Sequence, residues 1–333
     1  MRNAPPRRRL RAAIAGLLAL LAPLACTGAL ADSPTGCPPP TQPPSAEQLR
    51  AGARDARDHG FLWRISKGGH HSWLYGTLHV ARFEWTFPGP RVSAALNASD
   101  TIALEIDLGD AQMQRRLNHS LTTPPPAALP QALRQRLARA AQAECVPPQA
   151  LATLAPQLQV AALTALAGKR DGLDPAYGID AVLAGWAHAA GRRVVSLETP
   201  EMQLGLLTEG GDGQTLNSVD KTLAELETGR ARPTLRRVAR IWAEGDWAGL
   251  SDYASWCGCA DTAADRAELK RLLDDRNPAM AEAIDTLHRS GRQVFAAVGS
   301  LHMIGDQGLP ALLARRGYRV EPIALEASQE TRP

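Results

Sequence analysis

Apolar positions along this chain fall into two kinds of pattern. Near both ends they form short β-prone runs, and between them they recur at helical spacing. "FLWRI", a "KGG" turn and "SWLYG" together predict a hairpin. "TIALEIDL" (Thr101–Leu108) predicts a further strand. A helical region then extends from about Asp110 to Ala190, broken by "TTPPPAALP" and "CVPP". "RRVVSLE" returns to strand, and "TPEMQLGLL" opens a helix with Thr199 as cap and Pro200 at its first position. Residues 212–290 are again mostly helical, interrupted at "GDW" and "WCGCAD". The last stretch reads strand, helix, strand: "GRQVFAAVGSLH", "GDQGLPALLARRG" and "YRVEPIAL". So short a connecting helix predicts neighbouring parallel strands joined by a right-handed crossover. The expected fold is α/β, with a central sheet formed by N- and C-terminal strands and a large helical insertion at about 110–290.

The N-terminus adds a targeting expectation. Arg2, Arg7, Arg8, Arg9 and Arg11 precede the apolar "AAIAGLLALLAPLA", and "ALAD" offers a cleavage point after Ala31. This reads as a signal peptide over residues 1–31 and a mature form without a transmembrane helix. The alternatives are a retained membrane anchor, lipidation at Cys26 in "PLAC", where Pro23 stands at a position usually held by Leu, and a twin-arginine export reading of "RRRL". Residues 32–58 form a Pro-rich tether and lead-in, leaving a single domain over 59–328. The net charge of +3 includes the five N-terminal arginines, so the body is close to neutral and gives no sign of a nucleic-acid partner. An aromatic share of only 5% leaves Ala and Leu to fill the apolar positions, as suits many packed helices. Cys37, Cys145, Cys257 and Cys259 remain after cleavage, an even number compatible with an oxidising compartment. One residue separates Cys257 from Cys259, so each is expected to pair with Cys37 or Cys145. A soft-metal site at Cys-x-Cys is the alternative.

The candidate chemistry lies in two similar turns. "YGTLHV" (Tyr75–Val80) and "VGSLHM" (Val298–Met303) each place Gly-x-x-His after an apolar strand. Glycine permits a sharp bend and close approach, and the carboxyl ends of strands in α/β folds commonly hold ligands. His79 and His302 would share one site if their strands are neighbours. Carboxylates stand in matching places: Glu105 in "ALEID", Glu198 at the end of "VVSLE" and Asp180 in "YGID", with Arg276 and Asn277 in "DDRNPAM". An acidic side chain in an apolar strand needs a metal, a cation or donors nearby. The bland alternatives are two hydrogen-bonded core histidines, and carboxylates that cap helices or pair with arginines. His59, His119, His188 and His288 read as surface or helix-face residues, and His70–His71 as a solvated turn. The chain has no Gly-rich phosphate loop, no His-Glu-x-x-His helix and no Gly-x-Ser-x-Gly elbow.

Taken in order, "WLYGTLHV", "LEID", "YGID", "LETPEMQL", "DDRNPAM" and "FAAVGSLHMIGDQGLPALLARRGYRVEPI" resemble the TraB/GumN family, which includes the Tiki proteases. The resemblance covers roughly residues 60–323. It implies an α/β fold related to the erythromycin-esterase (EreA) and haem-binding ChaN-like proteins, with an active site built from the Gly-x-x-His turns and an acidic residue. Carried over, it points to His79, His302 and Glu105, with Glu198, Asp180, Arg276 and Asn277 at further polar positions. The implied function is an exported, periplasmic or secreted, metal-dependent hydrolase or peptidase acting on a peptide or protein. His79, His302, Glu105, Glu198 and Asp180 are then candidate ligands of a divalent metal (Mn²⁺, Co²⁺ or Zn²⁺). Glu105, Arg276 and Asn277 are the candidate catalytic residues. The alternatives are a haem- or metal-binding envelope protein without turnover, or an accessory protein of polysaccharide or envelope processes.

Overall fold

A computed structural model describes residues 36–38, 40–122, 128–208 and 211–325. The signal-peptide reading and Cys26 lie outside the described residues. The strands are β1 (Phe61–Lys67), β2 (His70–Thr77), β3 (Thr101–Leu104), β4 (Arg193–Ser196), β5 (Val294–Gly299) and β6 (Arg319–Ile323). They form one sheet in the order β4-β3-β5-β2-β1-β6. The α-helices before β4 are α1 (Ala46–Arg54), α2 (Pro90–Ala98), α3 (Ala111–Thr122), α4 (Gln131–Ala143), α5 (Pro148–Leu151), α6 (Pro156–Ala167) and α7 (Ile179–Ala189). Between β4 and β5 run α8 (Pro200–Thr208), α9 (Asp212–Glu227), α10 (Ala231–Glu244), α11 (Trp247–Ser251), α12 (Tyr253–Trp256), α13 (Ala263–Leu272) and α14 (Asn277–Arg289). Helix α15 (Leu309–Arg315) joins β5 to β6.

The hairpin forms where the pattern places it. Lys67 pairs with His70, leaving Gly68 and Gly69 as a two-residue loop with both φ positive. That backbone matches the strand twist and suits glycine. Strand β5 lies parallel between β3 and β2, and all six of its residues are buried. An unbroken apolar run such as "VFAAV" is what a central parallel strand requires. Its Phe295 and Val298 belong to a core with Ile65, Leu74, Ile102, Ile284 and Trp242. A smaller apolar cluster, built on Leu129, Val160, Val219 and Leu223, holds the helical region together.

Three expectations need correction. Strands β5 and β6 are not neighbours: β6 pairs antiparallel with β1, so β2 and β1 stand between them. The N-terminal hairpin has inserted between the last two strands, and the connection through α15 spans it. The disulfides are Cys37–Cys145 and Cys257–Cys259, not cross-pairs. Gly258, at φ +66°, turns the chain tightly enough to bring the Cys257 and Cys259 Cα atoms to 5.1 Å, within bridging range. His288 is buried rather than superficial. Its Nε2–H donates to Lys67 O (3.0 Å), Ser72 Oγ lies 2.9 Å from its Nδ1, and the half-buried His70 ring stacks on it at 3.8 Å.

Candidate functional site

Four neighbouring parallel strands, β4, β3, β5 and β2, end on the same side of the sheet. Just past each end stands a polar residue: Glu198, Glu105, His302 and His79, in that spatial order. The register pairs Gly76 with Val298 and Thr77 with Gly299, so the two Gly-x-x-His turns lie side by side. Contact is close enough to need glycine. A Cβ on Gly76 would meet Ser300 Oγ at 2.8 Å, and one on Gly178 would meet His79 O at 2.7 Å. A Cβ on Gly299 would lie 3.1 Å from Glu105 Oε1, 3.6 Å from His79 Nε2 and 3.7 Å from His302 Cδ2. The three side chains thus surround a space that Gly299 leaves open.

Each imidazole is oriented through its Nδ1. Asp180, in the first turn of α7, accepts from His79 Nδ1–H (2.8 Å) and from Thr77 Oγ1–H (2.5 Å). A carboxylate only accepts, so the proton is on His79 Nδ1 and, in the neutral ring, Nε2 carries a lone pair. Asn277, at the start of α14, donates from Nδ2 to Gln307 O (2.8 Å) and His302 O (3.4 Å). Those two carbonyls fix the amide, so its Oδ1 accepts from His302 Nδ1–H (2.6 Å). His302 therefore also presents an unprotonated Nε2. The two rings differ in basicity. Asp180 raises His79 to about 9, although its side chain is 69% exposed and water screens part of that attraction. Burial pushes His302 down to about 4.

The carboxylates are bound together by one guanidinium. Arg276 donates from Nε to Glu198 Oε1 (2.9 Å), from Nη2 to Glu105 Oε2 (2.9 Å) and to Glu198 Oε2, and from Nη1 to Leu272 O (2.9 Å). Gln203, on α8, donates to both Glu105 Oε2 (2.9 Å) and Glu198 Oε2 (2.8 Å). Gly299 N–H donates to Glu105 Oε1 (2.7 Å). Burial works against the Glu105 charge, but His79, His302, Arg276 and the Gly299 amide outweigh it and hold the carboxyl below its usual range.

These strand-end residues lie within a match to the TraB/PrgY/gumN family model over residues 61–322. The chain belongs to the TraB/PrgY/gumN family. No curated protein and no solved structure matches it.

Within this TraB/PrgY/gumN chain, His79, His302 and Glu105 come together, and Arg276 and Glu198 join them through Glu105. Asp180 stands behind His79, on its Nδ1 side, and Asn277 stands in the same relation to His302. Among the described residues, no group of three or more His, Cys, Asp or Glu side chains is placed to hold a metal ion. The donor types nevertheless suit a divalent ion: two imidazoles and a carboxylate oxygen stand around Gly299, with both rings held by hydrogen bonds from behind. Two participants were missed in the sequence. Gln203 is the polar residue of the "EMQLGLL" run facing the carboxylates, and its isolation in an apolar helix was the available signal. Thr77, inside the first Gly-x-x-His turn, shares Asp180 with His79.

Proposed function

We propose that this chain is an exported metal-dependent hydrolase acting on peptides, with His79, His302 and Glu105 as the ligands of a divalent ion such as Mn²⁺, Co²⁺ or Zn²⁺. The observation that carries this reading is the pair of imidazoles, each held through its Nδ1, whose rings stand with Glu105 Oε1 around Gly299. A bound ion would supply Lewis acidity, polarising a carbonyl and lowering the pKa of water. The chain's own residues prepare that chemistry. Asp180 and Asn277 hold the histidine tautomers, while Arg276 and Gln203 fix Glu105 as a charged carboxylate. So acidic a carboxylate is a poor proton acceptor near neutral pH, which favours Glu105 as a ligand over Glu105 as general base. Glu198 serves to hold Arg276 in place. A carboxylate beside the histidines favours hydrolysis over haem ligation, which has no need of one. The two disulfides support a periplasmic or secreted location, and among the described residues no helix is long and apolar enough to cross a membrane. A peptide-library cleavage assay with added Mn²⁺, Co²⁺ or Zn²⁺ tests the proposal. Cleavage by wild type and its loss in Glu105→Gln is the expected result. No cleavage by wild type that nevertheless binds metal would overturn hydrolysis in favour of binding.

A further inference from the structure

Chain separation puts the two disulfides in different chemical classes. A bridge and a fold stabilise each other equally: what the cross-link adds to folding, folding adds to the cross-link. Cys37 and Cys145 lie far apart in the chain, so folding does much to hold their bridge closed. Only Gly258 separates Cys257 from Cys259, and so small a ring closes in the unfolded chain as well. The fold therefore does little to keep this second bridge oxidised, and weakly held, accessible disulfides are the ones that exchange with thiols.

The loop that carries Cys257 and Cys259 is secured without their bridge. Before it, Trp256 packs half-buried against the core, its Nε1–H donates to Gly249 O (2.9 Å), and Arg237 stacks over its ring at 4.1 Å. After it, Thr262 and Asp265 form a capping box at the start of α13. Arg266 Nη1 donates to Ala260 O (2.9 Å) and Asp261 O (3.1 Å). Access is open. Both cysteines are half-buried, Gly258 is exposed, and a Cβ on Gly258 would meet nothing within 4 Å. The two sulfurs also differ: Cys259 N–H donates to Cys257 Sγ (3.0 Å), which favours negative charge on that sulfur. Arg237 and Arg266 flank the loop, but so do the exposed Asp252 and Asp261. The amide, not net charge, distinguishes the sulfurs.

We propose that Cys257-Gly258-Cys259 is a thiol-exchange site, taking two electrons from small thiols or from unpaired cysteines of other proteins. A thiolate attacks Cys259 Sγ, the Cys257–Cys259 S–S bond breaks, and Cys257 leaves as a thiolate held by the Cys259 amide. A second thiolate then attacks the thiol sulfur of the mixed disulfide and releases Cys259. In sum, two thiols lose their protons and become one disulfide, and Cys257 and Cys259 end as two thiols.

The test equilibrates the purified chain in glutathione buffers of rising reducing strength, quenches in acid, alkylates, and maps each cysteine by mass spectrometry. Circular dichroism is recorded on every sample. Cys257 and Cys259 should open at a ratio [GSH]²/[GSSG] at least about tenfold below that required for Cys37 and Cys145, with the dichroism unchanged. Samples quenched early should carry glutathione on Cys259. Opening of Cys37–Cys145 first, of both pairs together, or only with loss of structure would overturn the proposal. An early adduct on Cys257 would overturn the direction of attack. The Cys257→Ser/Cys259→Ser variant should lack the fast phase of glutathione oxidation, and a fast phase that survives in it would overturn the site. A second arm replaces glutathione with a reduced cysteine-bearing peptide at equal thiol concentration. Faster exchange with the peptide assigns protein cysteines as the electron source, and equal or slower exchange assigns small thiols; either supports the site.

Discussion

Asp180 and Asn277 touch the backs of the two imidazoles, and this fixes what the fronts present. Removing such orienting partners commonly lowers metal affinity about 10–100-fold, and that range is expected for Asp180→Ala and Asn277→Ala in calorimetric titration. Asn277 is also buried and bonded at both ends of its amide, so its loss should destabilise the fold by about 1–3 kcal/mol in chemical denaturation. Gly299→Ala separates site from fold. Gly299 has φ −48°, which alanine adopts, but the new methyl would occupy the gap between Glu105, His79 and His302. Metal binding should vanish while the protein stays folded. The histidines titrate in opposite senses in metal-free protein. His79 is raised from 6.5 to about 9, so its pairing stabilises the fold fully below pH 6.5 and is lost as pH rises through 9. His302 is lowered to about 4, so its buried neutral ring is favourable above pH 6.5 and becomes a liability as pH falls from 6.5 through 4. A metal must displace the His79 proton, so affinity should climb from pH 6.5 toward 9 instead of levelling off just above 6. NMR titration of the His79 ring checks this; a pKa that is not above 6.5, or that is unmoved by Asp180→Ala, would contradict it.

At the scale of elements, the strands and their polar ends were legible because each strand's pattern is local. The "GG" loop names a hairpin, and "VFAAVG" names a buried strand ending in a turn. The order of strands was not legible, because placing β1 and β2 between β5 and β6 depends on pairings across more than 200 residues of chain. The roles of Asp180 and Glu198 were blurred for a related reason. Sequence shows a carboxylate near the site but not which face of a neighbour it meets. His288 looked like a surface or helix-face residue because a polar pair hydrogen-bonded inside the fold, here His288 with Ser72, has no periodic signature. The Glu105–Arg276–Glu198 group joins β3, β4 and the start of α14. Arg276→Met should leave two buried carboxylates without their cation and cost about 3–5 kcal/mol, read as a lower denaturant midpoint. A change within about 0.5 kcal/mol would show that the charges are solvated instead.

Across the whole molecule, the site exists because distant parts of the chain meet in one sheet, and the cross-links act at that scale. Cys37 and Cys145 lie 108 positions apart in the chain. By chain entropy such a loop is worth about 4–5 kcal/mol, whereas Cys257 and Cys259 lie only two positions apart and their bridge constrains the unfolded chain far less. Thermal unfolding should therefore drop sharply for Cys37→Ser with Cys145→Ser and only slightly for the other pair. The central claim is that the two Gly-x-x-His turns and the β3 end form one metal centre. The most direct measurement is the metal content of purified wild type, His79→Ala and His302→Ala after equilibration with Mn²⁺, Co²⁺ or Zn²⁺ and gel filtration. One of these ions should remain with wild type and be lost from both variants. Retention of the same metal by either variant would contradict the shared centre.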